Sequence, residues 1–96
     1  MTDRELLEMA AKAIGLTLRY NYLGDQDARQ PWIPLADDGD ALRLVVECKM
    51  TIAFEPNRGG WSVGAIVNGE FRWLAWDEDC NRAIVHAAAE IGKNTK

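Results

Sequence analysis

Asn68 and Gly69 stand between two apolar runs, Trp61 to Val67 and Glu70 to Trp76. Both residue types accept the positive φ of a type I′ turn, so the dipeptide predicts a two-residue β-hairpin. A loop this short also sets the register. On one face Val67 opposes Glu70, Ala65 opposes Arg72, Val63 opposes Leu74 and Trp61 opposes Trp76. On the other, Ile66 opposes Phe71 and Gly64 opposes Trp73, where the indole can fold over bare backbone. Large apolar side chains fall on both faces. A sheet built on this hairpin is therefore expected either to be covered on both sides or to leave one face for a partner.

The rest of the chain supplies helices and shorter strands. Thr2 and Glu5 have capping-box spacing, and Leu6, Met9, Ala10, Ala13 and Ile14 form an apolar stripe that Gly15 ends. Leu16 to Tyr22 alternates apolar and polar residues and predicts a half-buried strand. Gly24 to Gln30 is a polar loop, and the prolines at 31 and 34 exclude a regular element from Pro31 to Ala36. Asp37 is a good N-cap, with Asp40 as its acidic partner three residues on. Ala41, Leu42, Val45, Val46 and Cys48 then give the buried face of a helix ending near Lys49. Thr51 to Glu55 reads as a strand closed by Pro56 to Gly60. Asp77 to Asp79 cap a last helix, with Ala83, Ile84, Ala87, Ala88 and Ile91 facing inward and Gly92 at its end, before Lys93 to Lys96 fray. The expectation is a single α+β domain over residues 1–96. A four-strand, mainly antiparallel sheet packs with three helices in a layered sandwich, in the order α-β-α-β-β-β-α.

Charge and cysteine usage remove several function classes. Eleven basic against fifteen acidic residues leave a net charge of −4. That is a poor basis for binding phosphate backbones, so nucleic acid is not an expected partner. It is also too mild for a dense one-signed face that mimics DNA. No apolar stretch approaches the roughly 20 residues of a membrane span. The start Met1-Thr2-Asp3-Arg4-Glu5 has no signal-peptide character. A cytoplasmic location follows, with Cys48 and Cys80 as free, buried thiols.

The chain carries few catalytic or metal-binding patterns, and each has a structural explanation. Asp77, Asp79 and Asn81 match the first ligands of an EF-hand loop. Arg82 then stands where glycine is needed and Ala88 where a bidentate glutamate is needed. His86, the only histidine, lies one helical turn from Glu90 and lacks zinc-site companions at the right spacing. Gly59-Gly60 has no phosphate-loop context. No catalytic residue, metal or cofactor is assigned, and an enzyme is not expected. Asp37, Asp38 and Asp40 beside Trp32 are candidate ligand-binding residues for a small molecule or divalent cation. Capping of the helix dipole is the competing role for these acids. Trp32, Trp61, Trp73 and Trp76 are the candidate partner-binding residues, because a domain of 96 residues has a small core in which to bury four indoles. Trp32 is either a plug beneath the sheet or an exposed anchor.

Three segments carry a family resemblance. They are Asp3 to Ala13 (DRELLEMAAKA), Pro31 to Leu44 (PWIPLADDGDALRL) and Arg82 to Gly92 (RAIVHAAAEIG). Together they resemble small bacteriophage and prophage proteins described as having a phage alpha-beta-alpha sandwich domain. The central segment is the more specific, although Ile33 stands where a polar residue is usual between the tryptophan and the proline. The resemblance implies a layered fold and a phage-encoded accessory protein in the host cytoplasm. It assigns no activity. Binding to another protein, either a second copy or a host protein, is the expected mode of action. Inhibition of a bacterial defence system is one concrete form of it.

Overall fold

The computed structural model describes residues 2–15, 18–19, 22–23 and 33–94. Its helices are α1 (Asp3–Ala13), α2 (Asp38–Cys48) and α3 (Cys80–Lys93). Its strands are β1 (Leu18–Arg19), β2 (Tyr22–Leu23), β3 (Thr51–Glu55), β4 (Gly60–Val67) and β5 (Glu70–Asp77). Among the described residues the main sheet has three antiparallel strands in the order β3-β4-β5. The expected fourth strand is a correction. β1 and β2 pair with each other, Leu18 with Leu23 and Arg19 with Tyr22, as a separate two-stranded ribbon. The alternating pattern was thus too short to distinguish one strand from a local hairpin. Trp32 and the loop from Gly24 to Gln30 lie outside the described residues.

The helices begin where their caps predict. Thr2 and Glu5 form the full capping box of α1, and Gly15 follows its end at φ 74°. Asp37 caps α2 through Gly39 N, and Asp79 caps α3 through Asn81 N. Lys49 closes α2 in the left-handed region, φ 54°. The buried face of α2 differs from the expected one. Ala41 and Leu44 are buried and Val45 and Cys48 half-buried, whereas Leu42 and Val46 are exposed. Leu44 is the large side chain that reaches the core, which rotates the stripe away from Leu42 and Val46.

Helix α3 is the centre of the molecule. It packs against α1, α2, β4 and β5, and Ala83, Ile84, Val85, Ala87, Ala88, Ala89 and Gly92 are all buried along it. Alanines on α3 face Ala10 and Ala11 of α1 within one core, so the two backbones come close. Gly92 marks the closest approach. It does not end α3, which runs on to Lys93 with Asn94 as its C-cap. A Cβ built there would collide with Met9 O and sit 2.8 Å from Met9 C. At the other end of the pair, Arg82 holds Asp3 through two hydrogen bonds of 3.1 and 3.3 Å.

Two stability predictions arise from this helix pair. Gly92→Ala must push α1 off α3, because the clash is with backbone and cannot be relieved by a rotamer. It should cost about 2 kcal/mol or more, by analogy with overpacked cores, read as a fall in denaturant midpoint with an unchanged slope. The second concerns pH. The Arg82 guanidinium, by hydrogen bond and then by charge, holds the Asp3 carboxyl below its ordinary 3.8. A carboxyl lowered in the folded state contributes stability above its unfolded pKa and loses it as pH falls through the folded one. The melting-temperature gap between the wild type and Asp3→Asn should therefore be open near neutrality and close on acidification below about pH 4. A gap that stays constant across that range would refute the linkage.

Candidate functional site

The register of the β4–β5 hairpin decides which aromatics are buried. Asn68 and Gly69 adopt φ 53° and 83°, and the first four pairs form as expected: Val67–Glu70, Ile66–Phe71, Ala65–Arg72 and Gly64–Trp73. The pairing then slips. Val63 opposes Ala75, Ser62 opposes Trp76 and Trp61 opposes Asp77, which leaves Leu74 as the extra residue of a β-bulge. The expected pairs Val63–Leu74 and Trp61–Trp76 are corrected accordingly. Because side chains alternate between faces, one extra residue moves Trp76 from the helix side of the sheet to the opposite side. Two indoles facing each other against α3 would have crowded the core, and the bulge separates them.

Trp61 remains on the helix side. It is half-buried, packs against the core and lies 5.0 Å from the ring of Phe54. It is a scaffold residue. Trp73 and Trp76 share the opposite face with Phe71 and Ile66. Small residues of β4 make a bed for the three rings. A Cβ at Gly64 would sit 2.7 Å from the Phe71 ring and 3.0 Å from the Trp73 ring. One at Gly60 would sit 2.6 Å from the Trp76 ring. Between them Ser62 is buried. The rings therefore lie down across β4 instead of standing upright. Phe71 and Trp73 meet edge to face at 4.9 Å and 86°. The Arg58 guanidinium sits 4.5 Å over the Trp76 ring and also pairs with Glu55 at 3.1 Å. The Trp76 indole nitrogen is buried and has no hydrogen-bond acceptor among the described residues. Ile66 is 64%, Phe71 44% and Trp73 56% exposed, so this is an open, mostly uncharged aromatic face.

Sequence reasoning placed Trp73 and Trp76 among the binding candidates but missed Ile66, Phe71 and Arg58. The available signal was the outward row Gly60, Ser62 and Gly64, since small residues at every second position of a strand leave room for rings from the next strand. The same stretch reads Gly-x-Ser-x-Gly, the spacing of a hydrolase nucleophile elbow. That chemistry needs the serine on a sharp strand-to-helix turn. Ser62 instead lies mid-strand under Trp76.

The aspartates at the start of α2 diverge. Asp37 Oδ1 accepts from Gly39 N at 3.4 Å, Asp38 Oδ1 from the Asn81 amide at 2.8 Å, and Asp40 Oδ2 from Ile33 N at 2.9 Å. Asp40 does not close a capping box, because the Asp37 N–H is already bonded to Ile33 O. Asp38 instead ties the start of α2 to the start of α3. Among the described residues no group of three acids, histidines or cysteines is placed to hold a metal ion. Asp77 and Asp79 accept successive backbone N–H groups entering α3. The Glu90 carboxylate, one turn from His86, takes Lys93 at 3.1 Å. Cys48 and Cys80 are free and half-buried. Burial first, and nearby carboxylates second, push both thiols up, which is the reverse of nucleophile activation. Arg72 is exposed and pairs with Glu70 at 3.4 Å. No described helix is long and apolar enough to cross a membrane.

No family model, curated protein or solved structure matches this chain.

The ring bed makes a prediction. Gly64→Ala introduces a methyl 2.6 Å from Arg72 O as well as against two rings. It should cost about 1–3 kcal/mol. Trp73→Ser, at a mostly exposed site, should stay below about 1 kcal/mol. Chemical denaturation of both variants gives the order, and equal losses would mean that the rings stand away from β4.

Proposed function

We propose that this chain is a non-enzymatic accessory protein that works by binding another protein through the open face of its sheet. The observation that carries this reading is the contiguous exposure of Ile66, Phe71 and Trp73 beside the Arg58-capped Trp76. Apolar clusters of this kind on small domains mark interaction surfaces, and aromatic and arginine side chains are the usual anchors of binding energy. Among the described residues this face offers the Arg58 cation, already paired with Glu55, so it suits a protein better than a phosphate backbone. The resemblance of the N-terminal, central and C-terminal segments to phage proteins supports a phage or prophage origin and action in the host cytoplasm. Inhibition of a bacterial defence system is one concrete form of that action. A divalent-cation or small-molecule role for Asp37, Asp38 and Asp40 has less support, since each carboxylate already accepts from a protein N–H.

Affinity capture from bacterial lysate tests the reading against an internal control. Helix α2 exposes a second, smaller apolar pair, Leu42 at 59% and Val46 at 64%. A partner held by the wild type should be lost with Trp73→Ser and kept with Leu42→Ser, while both variants melt within a few degrees of the wild type. Retention by Trp73→Ser would place the binding surface elsewhere.

A further inference from the structure

We propose that β5 is a self-pairing edge, and that two copies join through it into one continuous antiparallel sheet centred on Phe71. The inference deepens the reading that this hairpin works by protein contact, and names a second copy of the chain as the partner of its edge.

Among the described residues β5 has one strand neighbour, β4. In an antiparallel ladder, opposed residues alternate between pairs that exchange both hydrogen bonds and pairs that exchange none. The pair flanking a two-residue turn, Val67–Glu70, is of the bonded kind. Ile66–Phe71 and Gly64–Trp73 are then of the unbonded kind, and Arg72 bonds to Ala65. The N–H and C=O groups of Phe71 and Trp73 therefore point out of the sheet edge, where they template another strand.

Charge selects the register. A two-fold axis normal to the sheet keeps the helices of both copies on one side and pairs β5 with itself. Centred on Phe71, it sets Glu70 opposite Arg72 of the second copy, and Arg72 opposite that copy's Glu70. With the Glu70–Arg72 pair already present at 3.4 Å within each chain, four charges of alternating sign close a rectangle beside the strand. Centred on Arg72, the same axis opposes two guanidiniums, which is destabilising. The Leu74 bulge and the Asn68-Gly69 turn bound the overlap on either side. The other edge, β3, offers no such match, because centring on Ala53 sets Glu55 opposite an uncharged threonine.

Stacking the aromatic faces instead falls short of a standard interface. From the fractional exposures of Ile66, Phe71 and Trp73 and ordinary side-chain areas, that contact would draw on roughly 300–400 Å² per copy. A standard interface buries about 800 Å² per partner. Edge pairing has a different result. It leaves the aromatic face open and joins two such faces side by side, with the Phe71 rings neighbours across the axis.

Sedimentation equilibrium over a dilution series up to about 1 mM, the weak limit of specific association, tests the proposal. The wild type should dimerise. Glu70→Arg and Arg72→Glu each create two like-charge contacts by symmetry, and each should raise the dimer dissociation constant about 10- to 30-fold. The double variant Glu70→Arg/Arg72→Glu restores the alternation and should recover the wild-type constant. Phe71→Pro removes an edge N–H that β4 does not use, so it should give a folded monomer by circular dichroism. A dimer indifferent to residues 70 and 72 but lost with Trp73→Ser would overturn edge pairing while leaving the aromatic face as the contact surface. A wild type that stays monomeric throughout would overturn the proposal alone, since the Trp73→Ser capture test is read independently.

Discussion

Helix α3 can touch four other elements because its side chains are small. Four of its seven buried positions are alanine, and Gly92 has no side chain where Met9 O presses against it. Close-packed interiors leave no slack for larger groups at such a contact. The consequence reaches across the molecule. With α1 drawn tightly onto α3, α3 lies against β4 and β5, and the sheet adds Val63, Ala65, Ile52, Leu74, Ala75 and the half-buried Trp61 to the core. The core thereby takes in Trp61 and leaves out Phe71, Trp73 and Trp76. Those aromatics are left for the other side.

The bulge at Leu74 completes that division. Strict alternation from Phe71 would have turned Trp76 toward α3. One extra residue turns it outward, onto Gly60 and under Arg58. The arrangement buries the indole N–H away from any acceptor among the described residues. Gly60, Ser62 and Gly64 also deprive the middle of β4 of outward side chains, so that rings from a neighbouring strand cover it. The open face is thus built by three separate features of sequence: small residues on β4, an irregularity on β5, and an arginine in the β3–β4 turn.

Local signals were legible and relational ones were not. Thr2 with Glu5, Asp37, Asp79 and Asn68-Gly69 each act within a few residues, and each defines an element boundary as the sequence suggests. Gly92 looked like a helix stop, because nothing in α3 alone shows that its absent side chain makes room for Met9. Leu42 and Val46 looked buried, because helical spacing gives a stripe but not the direction from which the core approaches. The bulge was invisible for the same reason: Trp73 to Trp76 is an unbroken apolar run, and alternation carries no information where every residue is apolar. The aspartates of α2 could be read as caps or as a site, and only their three separate partners give each a structural role. The aromatic face was legible in part. Trp73 and Trp76 attract notice by size, whereas Ile66 and Phe71 matter only once the register is known.

An exposed aromatic face and an open strand edge are different hazards, and they meet on one strand here. Proteins blunt long edges with bulges and charges. β5 has a bulge at Leu74 and charges at Glu70 and Arg72. A purely protective design would place like charges along the edge, so that no copy could pair with another. Opposite charges two residues apart, symmetric about Phe71, make the edge self-complementary instead, and the bulge limits how far the pairing can run. In the proposed pairing such an edge would close as a pair in place of growing as a fibre, since β5 would be consumed on both copies and β3 lacks the matching charges. The same hairpin can then hold two aromatic faces in one plane while keeping its backbone from open-ended association.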